Sequence, residues 1–247
     1  MERAYTLGLY EKAMPGTLSW REKLKTAKRA GFDFVEISID ETDAKLSRLD
    51  MTKEERFGLV RLMQETGVPI RTMCLSGHRK YPLGSSDPAV EARGIEIMEK
   101  AIRLAEDLGI RIIQLAGYDV YYEESTFETK KRFLANLKKA ADMAAKAGVT
   151  MGFETMENEF MNTVEKAMKY VTLVGSPYLN VYPDIGNITN AAKTYENDVL
   201  EDLELGKGHI VAMHLKETVP GKFREIPFGT GHVDFESAVT KAWELGV

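Results

Sequence analysis

One pattern recurs seven times along this chain: an amphipathic stretch ends at a glycine, and a run rich in β-branched and apolar residues follows. Glycine closes helices because it adopts the left-handed backbone conformation without steric cost. The junction glycines are Gly31, Gly67, Gly109, Gly148, Gly175, Gly206 and Gly246. Helices that alternate with strands in this way predict right-handed βαβ units and a parallel sheet.

Capping residues and apolar runs fill the intervals between these glycines. The predicted helix starts are Ser19 with Glu22, Thr52 with Glu55, Ser125 with Glu128, Asp87 with Pro88, and Asp234 for a last helix through Trp243. The predicted strands are Thr6–Tyr10, Phe34–Ile39, Ile70–Ser76, Arg111–Ala116, Thr150–Glu154, Leu179–Pro183 and Ile210–Leu215. Several of these strands are almost wholly apolar, as expected for parallel strands that helices cover.

The seven units predict an α/β fold, a (β/α)8 TIM barrel, as a single domain over residues 1–247. An eighth strand closes such a barrel. The sequence ends with Leu245, Gly246 and Val247, which repeat the pattern that introduces earlier strands. We therefore expect the chain to be truncated just before strand eight. The alternative is an open seven-stranded sheet, whose exposed edges are a liability.

Composition excludes several classes of protein. The net charge of −5 offers no basic face for nucleic acid. Cys74 is the only cysteine, so no internal disulfide forms. The charged N-terminus argues against a signal peptide, and no apolar run is long enough to span a membrane. We expect a cytoplasmic protein without a membrane or nucleic-acid partner.

Three possible metal ligands follow apolar runs at equal intervals: Glu154, Asp184 and His214. Barrel enzymes carry their chemistry at the carboxyl ends of the strands, and neighbouring strands lie about 4.8 Å apart. Two carboxylates and an imidazole on three successive strands can therefore hold one divalent ion, such as Mn²⁺, Mg²⁺, Zn²⁺ or Co²⁺. The alternatives are helix caps or solvated acids for the carboxylates and a core position for the histidine.

Other polar residues at the same strand ends have two interpretations each. His78, beside Arg79 in the loop SGHRKYPLGSSD, either contacts a substrate hydroxyl or phosphate or is a solvent-exposed loop histidine. The segment PGKFREIPFGTGHVDF carries Arg224 and, with Lys216 before it, either binds phosphate through backbone amides and charge or is a plain surface turn.

The chain resembles a known family over its whole length. The runs that carry the resemblance are GLYEKAMP, GFDFVEISIDETDAKLSRLD, MCLSGHRKYPLGSSD, IQLAGYDVYYEE, YPDIGN, VAMHLKET and IPFGTGHVDF. They are similar to bacterial L-ribulose-5-phosphate (L-xylulose-5-phosphate) 3-epimerases, in the xylose-isomerase-like barrel superfamily.

The resemblance implies a metal-dependent isomerase that inverts C3 of a ketopentose 5-phosphate through an enediolate, in sugar-acid or ascorbate catabolism. It implies Glu154, Asp184 and His214 as metal ligands, with a glutamate on strand eight as a fourth. Glu154 and that glutamate are the two opposed catalytic carboxylates. The expected metal is Zn²⁺ or Mn²⁺ rather than Mg²⁺, and a homodimer is expected by analogy.

The residues expected to contact the substrate or its phosphate are His78, Arg79, Lys216 and Arg224. Three other functions stay open at this point. They are an aldose–ketose isomerase such as a hexulose-6-phosphate isomerase, a non-catalytic sugar-phosphate-binding barrel, and a metal-dependent phosphodiesterase of nucleic acid. The acidic balance counts against the last of these.

Overall fold

A computed structural model describes residues 5–247 and contains a parallel sheet of six strands in chain order. The strands are β1 (Gly8–Tyr10), β2 (Phe34–Ile39), β3 (Ile70–Leu75), β4 (Ile112–Ala116), β5 (Thr150–Glu154) and β6 (Leu179–Tyr182). Each pairs with the next in parallel register. The predicted alternation of helices and strands is confirmed, with strand ends that differ from the predictions by two residues at most.

Helices connect the strands and cover the sheet. In the described part of the chain they are α1 (Trp20–Arg29), α2 (Asp43–Leu46), α3 (Lys53–Thr66), α4 (Pro88–Leu108), α5 (Phe127–Ala147), α6 (Val164–Val174), α7 (Ile185–Tyr195), α8 (Val199–Glu204) and α9 (Phe235–Leu245). Strand side chains such as Ile37, Met73 and Phe153 are fully buried in one continuous core. Burial of a side chain of this size contributes about 1.5–3 kcal/mol, so the packed sheet is a rigid base for residues at its edge.

The helix caps and closing glycines agree with the sequence predictions with two exceptions. Six of the seven junction glycines have positive φ, whereas Gly206 does not. A Cβ at Gly206 would lie 2.9 Å from side-chain atoms of Ile210 and Val164, so close packing explains this glycine instead. The predicted capping box of Ser125 is wrong: Thr126 caps α5, because the buried carboxylate of Asp119 accepts the Ser125 hydroxyl.

The seventh predicted strand is not a regular strand. Residues 210–214, called the edge segment below, pair with β6 and the residues just after it at two isolated bridges, Val181↔Ile210 and Asp184↔His214. Pro183 lies between these bridges and has no N–H to donate, which interrupts the ladder. The His214 amide still donates to the Pro183 carbonyl at 2.9 Å. The edge segment therefore keeps His214 beside Asp184, and the eighth strand expected after Val247 stays a prediction.

Membrane insertion has no support in the helices. Within residues 5–247, none of them is both long enough and apolar enough to cross a bilayer.

Candidate metal centre

The three residues proposed as metal ligands meet at the carboxyl edge of the sheet. Glu154 ends β5, Asp184 follows β6 by two residues, and His214 lies on the edge segment. One ligand atom from each residue lies within 4.8 Å of the other two. The parallel strands carry their ends to a common edge, and this explains why residues far apart in sequence converge.

Asp184 caps a helix and also lies among the three candidate ligands. One carboxylate oxygen caps α7 by accepting the Asn187 amide at 2.9 Å. The other lies 3.0 Å from Lys216 Nζ, and Lys216 also donates to the Asn187 side chain at 2.7 Å. The carboxylate is therefore held in place by its cap through Oδ1, while Oδ2 pairs with Lys216.

His214 contacts two carboxylates rather than an apolar core. Its Nε2 lies 2.8 Å from Glu36 Oε1, and its Nδ1 lies 3.2 Å from Glu154 Oε1. Gln114 Nε2 is 3.0 Å from the same Nδ1. The rings of Tyr182 and Tyr10 flank the imidazole, with centroids 4.9 and 6.0 Å away. These contacts fix the ring plane and exclude the interpretation of His214 as an ordinary core histidine.

The electrostatics of the site favour positive charge. Burial lowers the pKa of His214, but the charge of Glu36 and hydrogen bonds to both carboxylates outweigh it and hold the pKa well above its ordinary value. Burial raises the pKa of Glu154, but the hydrogen bond and charge of His214, with the charges of Lys216 and Arg79, leave it below its ordinary value.

The pKa of Asp184 shifts in the opposite direction, upward. Its burial, aided by the nearby charge of Glu154, raises its pKa in spite of Lys216. A carboxylate that resists ionisation beside a second carboxylate is short of neighbouring positive charge. A divalent cation would supply that charge.

The residues present fit a divalent cation. Three buried or half-buried carboxylates, of Glu36, Glu154 and Asp184, share the site with one lysine and one imidazole. If Nε2–H donates to Glu36, the Nδ1 lone pair faces a carboxylate oxygen of Glu154, and only a proton or a cation makes that approach favourable. Two carboxylates and an imidazole suit Mn²⁺, Zn²⁺ and Co²⁺.

The expected substrate contacts are not equally supported. Arg79 lies at the same end of the sheet: its guanidinium stacks on Tyr121 at 4.8 Å and is 3.4 Å from the Tyr118 hydroxyl. Its Nε is buried and has no hydrogen-bond partner in the described part of the chain. Arg224 is exposed and pairs with Glu157 at 2.6 Å.

His78 is not the exposed residue that one of its two interpretations expects. The side chain is buried, and Nε2 bonds to the Gly94 carbonyl of α4 at 3.0 Å. The expectation of a solvent-exposed loop histidine is therefore wrong, because the 3-10 turn Ser76–Arg79 lies beneath α4. Burial lowers the pKa of His78 to about 4, so the ring is neutral near pH 7. This position gives no support to a substrate contact.

The segment after the edge segment uses its amides internally. Glu217 is buried, and its carboxylate accepts the amides of Gly229 at 2.9 Å and Val233 at 3.2 Å. Donors that face an internal carboxylate are not free for a phosphate. The structure therefore favours the plain turn over phosphate binding through this backbone.

Sequence reasoning gave no role to Glu36 and Gln114. Both were recognised as strand residues, but their contact with His214 crosses the sheet. One property of the sequence indicates a role for Glu36. It is the one charged residue in the apolar strand FVEISI, and a buried carboxylate needs a partner. The pattern does not show which residue that partner is.

Comparison with known proteins identifies the fold. Residues 24–245 match the xylose isomerase-like TIM barrel family. The chain belongs to that family. It is 52% identical over 246 residues to the L-ribulose-5-phosphate 3-epimerase UlaE of Salmonella paratyphi C (strain RKS4594), covering 100% of this chain and 85% of that protein. The UlaE of Escherichia coli (strain SMS-3-5 / SECEC) is 52% identical over 236 residues, which are 96% of this chain and 82% of that protein.

Solved structures agree on the fold. The structure of an L-ribulose 3-epimerase has a TM-score of 0.76 at 24% identity and covers 98% of this chain and 78% of that chain. A D-tagatose 3-epimerase-like protein has a TM-score of 0.80 at 18% identity, over 98% of this chain and 87% of that chain. The comparisons confirm the resemblance, the TIM-barrel fold and the expected enzyme class, an isomerase.

Proposed function

We propose that this chain is a metal-dependent 3-epimerase of a ketopentose 5-phosphate, converting L-ribulose 5-phosphate and L-xylulose 5-phosphate into one another. The observation that carries the proposal is the convergence of Glu154, Asp184 and His214 within 4.8 Å at the carboxyl edge of the sheet. Relatives at 52% identity are named L-ribulose-5-phosphate 3-epimerases, which supports the same substrate here.

Glu154 is the proposed base on one face of the substrate. A divalent cation held by Glu154, Asp184 and His214 would polarise the ketose C2 carbonyl and C3 hydroxyl oxygens and so acidify the C3 proton. The lowered pKa of Glu154 keeps its carboxylate ionised near pH 7, ready to accept that proton. Return of a proton to the other face completes the inversion. The opposed glutamate expected after Val247 stays a prediction.

Lys216 is the proposed contact for substrate oxygens near the metal. Its ammonium lies 3.0 Å from Asp184 Oδ2 and is part-exposed at the same edge. Three donors on one ammonium can bind Asp184, Asn187 and one further oxygen together. A ketose hydroxyl is the oxygen that the proposed reaction would place there.

Arg79 is the proposed contact for the phosphate. Its contacts within the described residues are long: 3.4 Å to the Tyr118 hydroxyl and 3.9 Å to a Glu41 oxygen. With a buried Nε that has no partner, most of its five donors are available. The planar guanidinium binds phosphate through two parallel hydrogen bonds. Arg224 is a second candidate, which would have to leave Glu157.

The remaining expectations stay proposals. Zn²⁺ or Mn²⁺ is the proposed ion, because carboxylate and imidazole ligands suit both. We retain a homodimer and a cytoplasmic location as predictions.

Proton exchange tests the function. L-ribulose 5-phosphate is incubated in D₂O with the full-length protein and Zn²⁺ or Mn²⁺. After the reaction the metal is removed by chelation and NMR spectra are recorded. The proposal expects deuterium at C3 and the appearance of L-xylulose 5-phosphate, with no exchange after the protein is treated with EDTA. Exchange at C1 or C2 would instead identify an aldose–ketose isomerase. Binding without any exchange would identify a non-catalytic barrel, and either result would overturn the proposal.

A further inference from the structure

Glu36 is a buried carboxylate whose hydrogen bonds orient it toward Nε2 of His214. It lies in the middle of β2 and is 3% exposed. Oε1 accepts from His214 Nε2 at 2.8 Å, and Oε2 accepts from the hydroxyls of Thr72 at 2.7 Å and Tyr182 at 3.3 Å. Among residues 5–247 no lysine or arginine lies within ion-pair distance of it. A buried carboxylate without a cation is costly, so its place beside His214 needs a reason.

The contact determines which nitrogen of His214 is free. Glu36 accepts the proton on Nε2, so Nδ1, the nitrogen that faces Glu154, is the one that a metal ion could bind in place of a proton. A metal-bound imidazole usually donates its other N–H to a carboxylate, which fixes the tautomer and raises the basicity of the ligand nitrogen. The tyrosine rings at 4.9 and 6.0 Å hold the imidazole in the same orientation.

We propose that Glu36 is the positioning residue of the metal centre. Acting through His214, it fixes the tautomer that offers Nδ1 to a divalent cation, and Thr72 and Tyr182 fix Glu36 in turn. The inference rests on the proposed metal site but makes a separate claim, about a residue on the far strand β2. It does not require Glu36 to touch the substrate.

A purely structural role is the competing explanation. The edge segment is paired at two isolated bridges, and Glu36 ties it to β2 across 178 residues of sequence. A structural tie would affect the free energy of unfolding of the metal-free protein. A positioning role affects metal affinity and the tautomer of His214, so these are the quantities to measure.

The test is titration calorimetry of the metal-free chain with Mn²⁺ and with Zn²⁺, before and after Glu36→Gln. The expected result is a 10- to 100-fold loss of metal affinity, with partial recovery in Glu36→Asp. Thr72→Val and Tyr182→Phe should each cost a few-fold. Glu22→Gln, a change in an exposed capping box, should leave affinity unchanged. Nitrogen-15 spectra of the zinc-loaded protein should show one His214 tautomer in the wild type and a mixture in Glu36→Gln.

The outcomes separate the two proposals. If the wild-type chain binds neither ion, the proposed metal centre fails and this inference fails with it. If the wild type binds and Glu36→Gln binds equally well, the positioning role alone is overturned. If Glu36→Gln does not fold, Thr72→Val and Tyr182→Phe decide: unchanged affinity and an unchanged tautomer in both overturn the proposal.

Discussion

Two buried acidic sites at the carboxyl edge of the sheet can be compared: Glu11 and the proposed metal centre. Lysine and arginine side chains neutralise the charge of Glu11 but not that of the metal centre. Glu11, directly after β1, is paired with three cations, Lys23, Lys45 and Arg48. It also accepts the Ser38 amide at 3.3 Å. The proposed metal centre has the opposite balance, with three carboxylates against one lysine and one imidazole.

The difference separates a structural acid from a binding acid. Hydrogen bonds and charge from Lys45 and Arg48 overcome the effect of burial and lower the pKa of Glu11, and its charge connects α1, α2 and the turn after α2 to the end of β1. The metal centre places Nδ1 of His214 against a carboxylate oxygen of Glu154, where a cation could replace a proton. Glu11 is therefore expected to affect stability, and the metal centre is expected to affect ion binding and catalysis.

The largest expected effect is on catalysis, from Glu154→Gln. A glutamine can neither accept the C3 proton nor supply an anionic ligand, so the rate of C3 inversion should fall by about 10⁴-fold. Metal-free stability should fall less than in Glu11→Gln, because the interaction with His214 is lost while a like-charge contact with Asp184 is relieved. Initial rates by NMR and urea unfolding measure both quantities, with Glu159→Gln, an exposed glutamate nearby, as control. More than a tenth of wild-type activity would contradict the proposed role.

Substitution in the Glu11 cluster, which is Glu11 with Lys23, Lys45 and Arg48, should lower stability and leave metal binding unchanged. Glu11→Gln leaves three cations facing one another without an anion, and removal of one partner from a buried ion pair costs about 3–5 kcal/mol. Urea unfolding of the metal-free chain measures this loss, and metal affinity should not change. Glu22→Gln, in an exposed capping box, should cost much less. Equal stabilities of Glu11→Gln and Glu22→Gln would show that the cluster is not a stabilising device.

His78 extends the comparison to a buried group that stays neutral. Burial lowers its pKa from 6.5 to about 4, although the bond to Gly94 opposes the shift. The unfolded chain therefore binds a proton below pH 6.5 that the folded chain refuses until about pH 4. The stability that this group contributes is present above pH 6.5 and is lost as the pH falls toward 4, by about 3 kcal/mol in total.

Unfolding of the wild type and of His78→Gln at several pH values between 7 and 4 measures this contribution. The variant keeps a donor for the Gly94 carbonyl but cannot titrate in this range. The wild type should lose more stability over this interval than the variant. Parallel curves would mean that His78 is accessible to protons in the folded protein.

Sequence patterns predicted that Glu154, Asp184 and His214 meet, because each is the polar residue that ends or follows a buried apolar run. Parallel strands then bring such residues to one edge, whatever the details of the loops. Glu36 was not assigned a role because its partner His214 is 178 residues away, and no pattern shows which residues face each other across the sheet. The same limit hid the contact between Gln114 and His214.

The errors have local physical causes. A polar loop predicted exposure for His78, but the turn that carries it is covered by α4, and only tertiary packing reveals this. The apolar run of the edge segment predicted a regular strand, and the missing amide of Pro183 limits its pairing. For the segment after the edge segment the sequence left phosphate binding and a plain turn open, and the structure favours the turn because Glu217 accepts the Gly229 amide.

The smallest expected effect is on metal affinity, from replacement of Lys216. Its ammonium lies 3.0 Å from Asp184 Oδ2 and therefore repels a divalent cation held by the same carboxylate. The side chain is 29% exposed, so solvent screens much of this repulsion, and about 1 kcal/mol remains. Lys216→Met should tighten metal binding about fivefold in calorimetry, whereas Lys216→Arg, which keeps the charge, should not. If Lys216→Met instead weakens metal binding, the lysine orients Asp184 for the ion. Glu36 and Glu154 would then be the carboxylates whose negative charge attracts the ion.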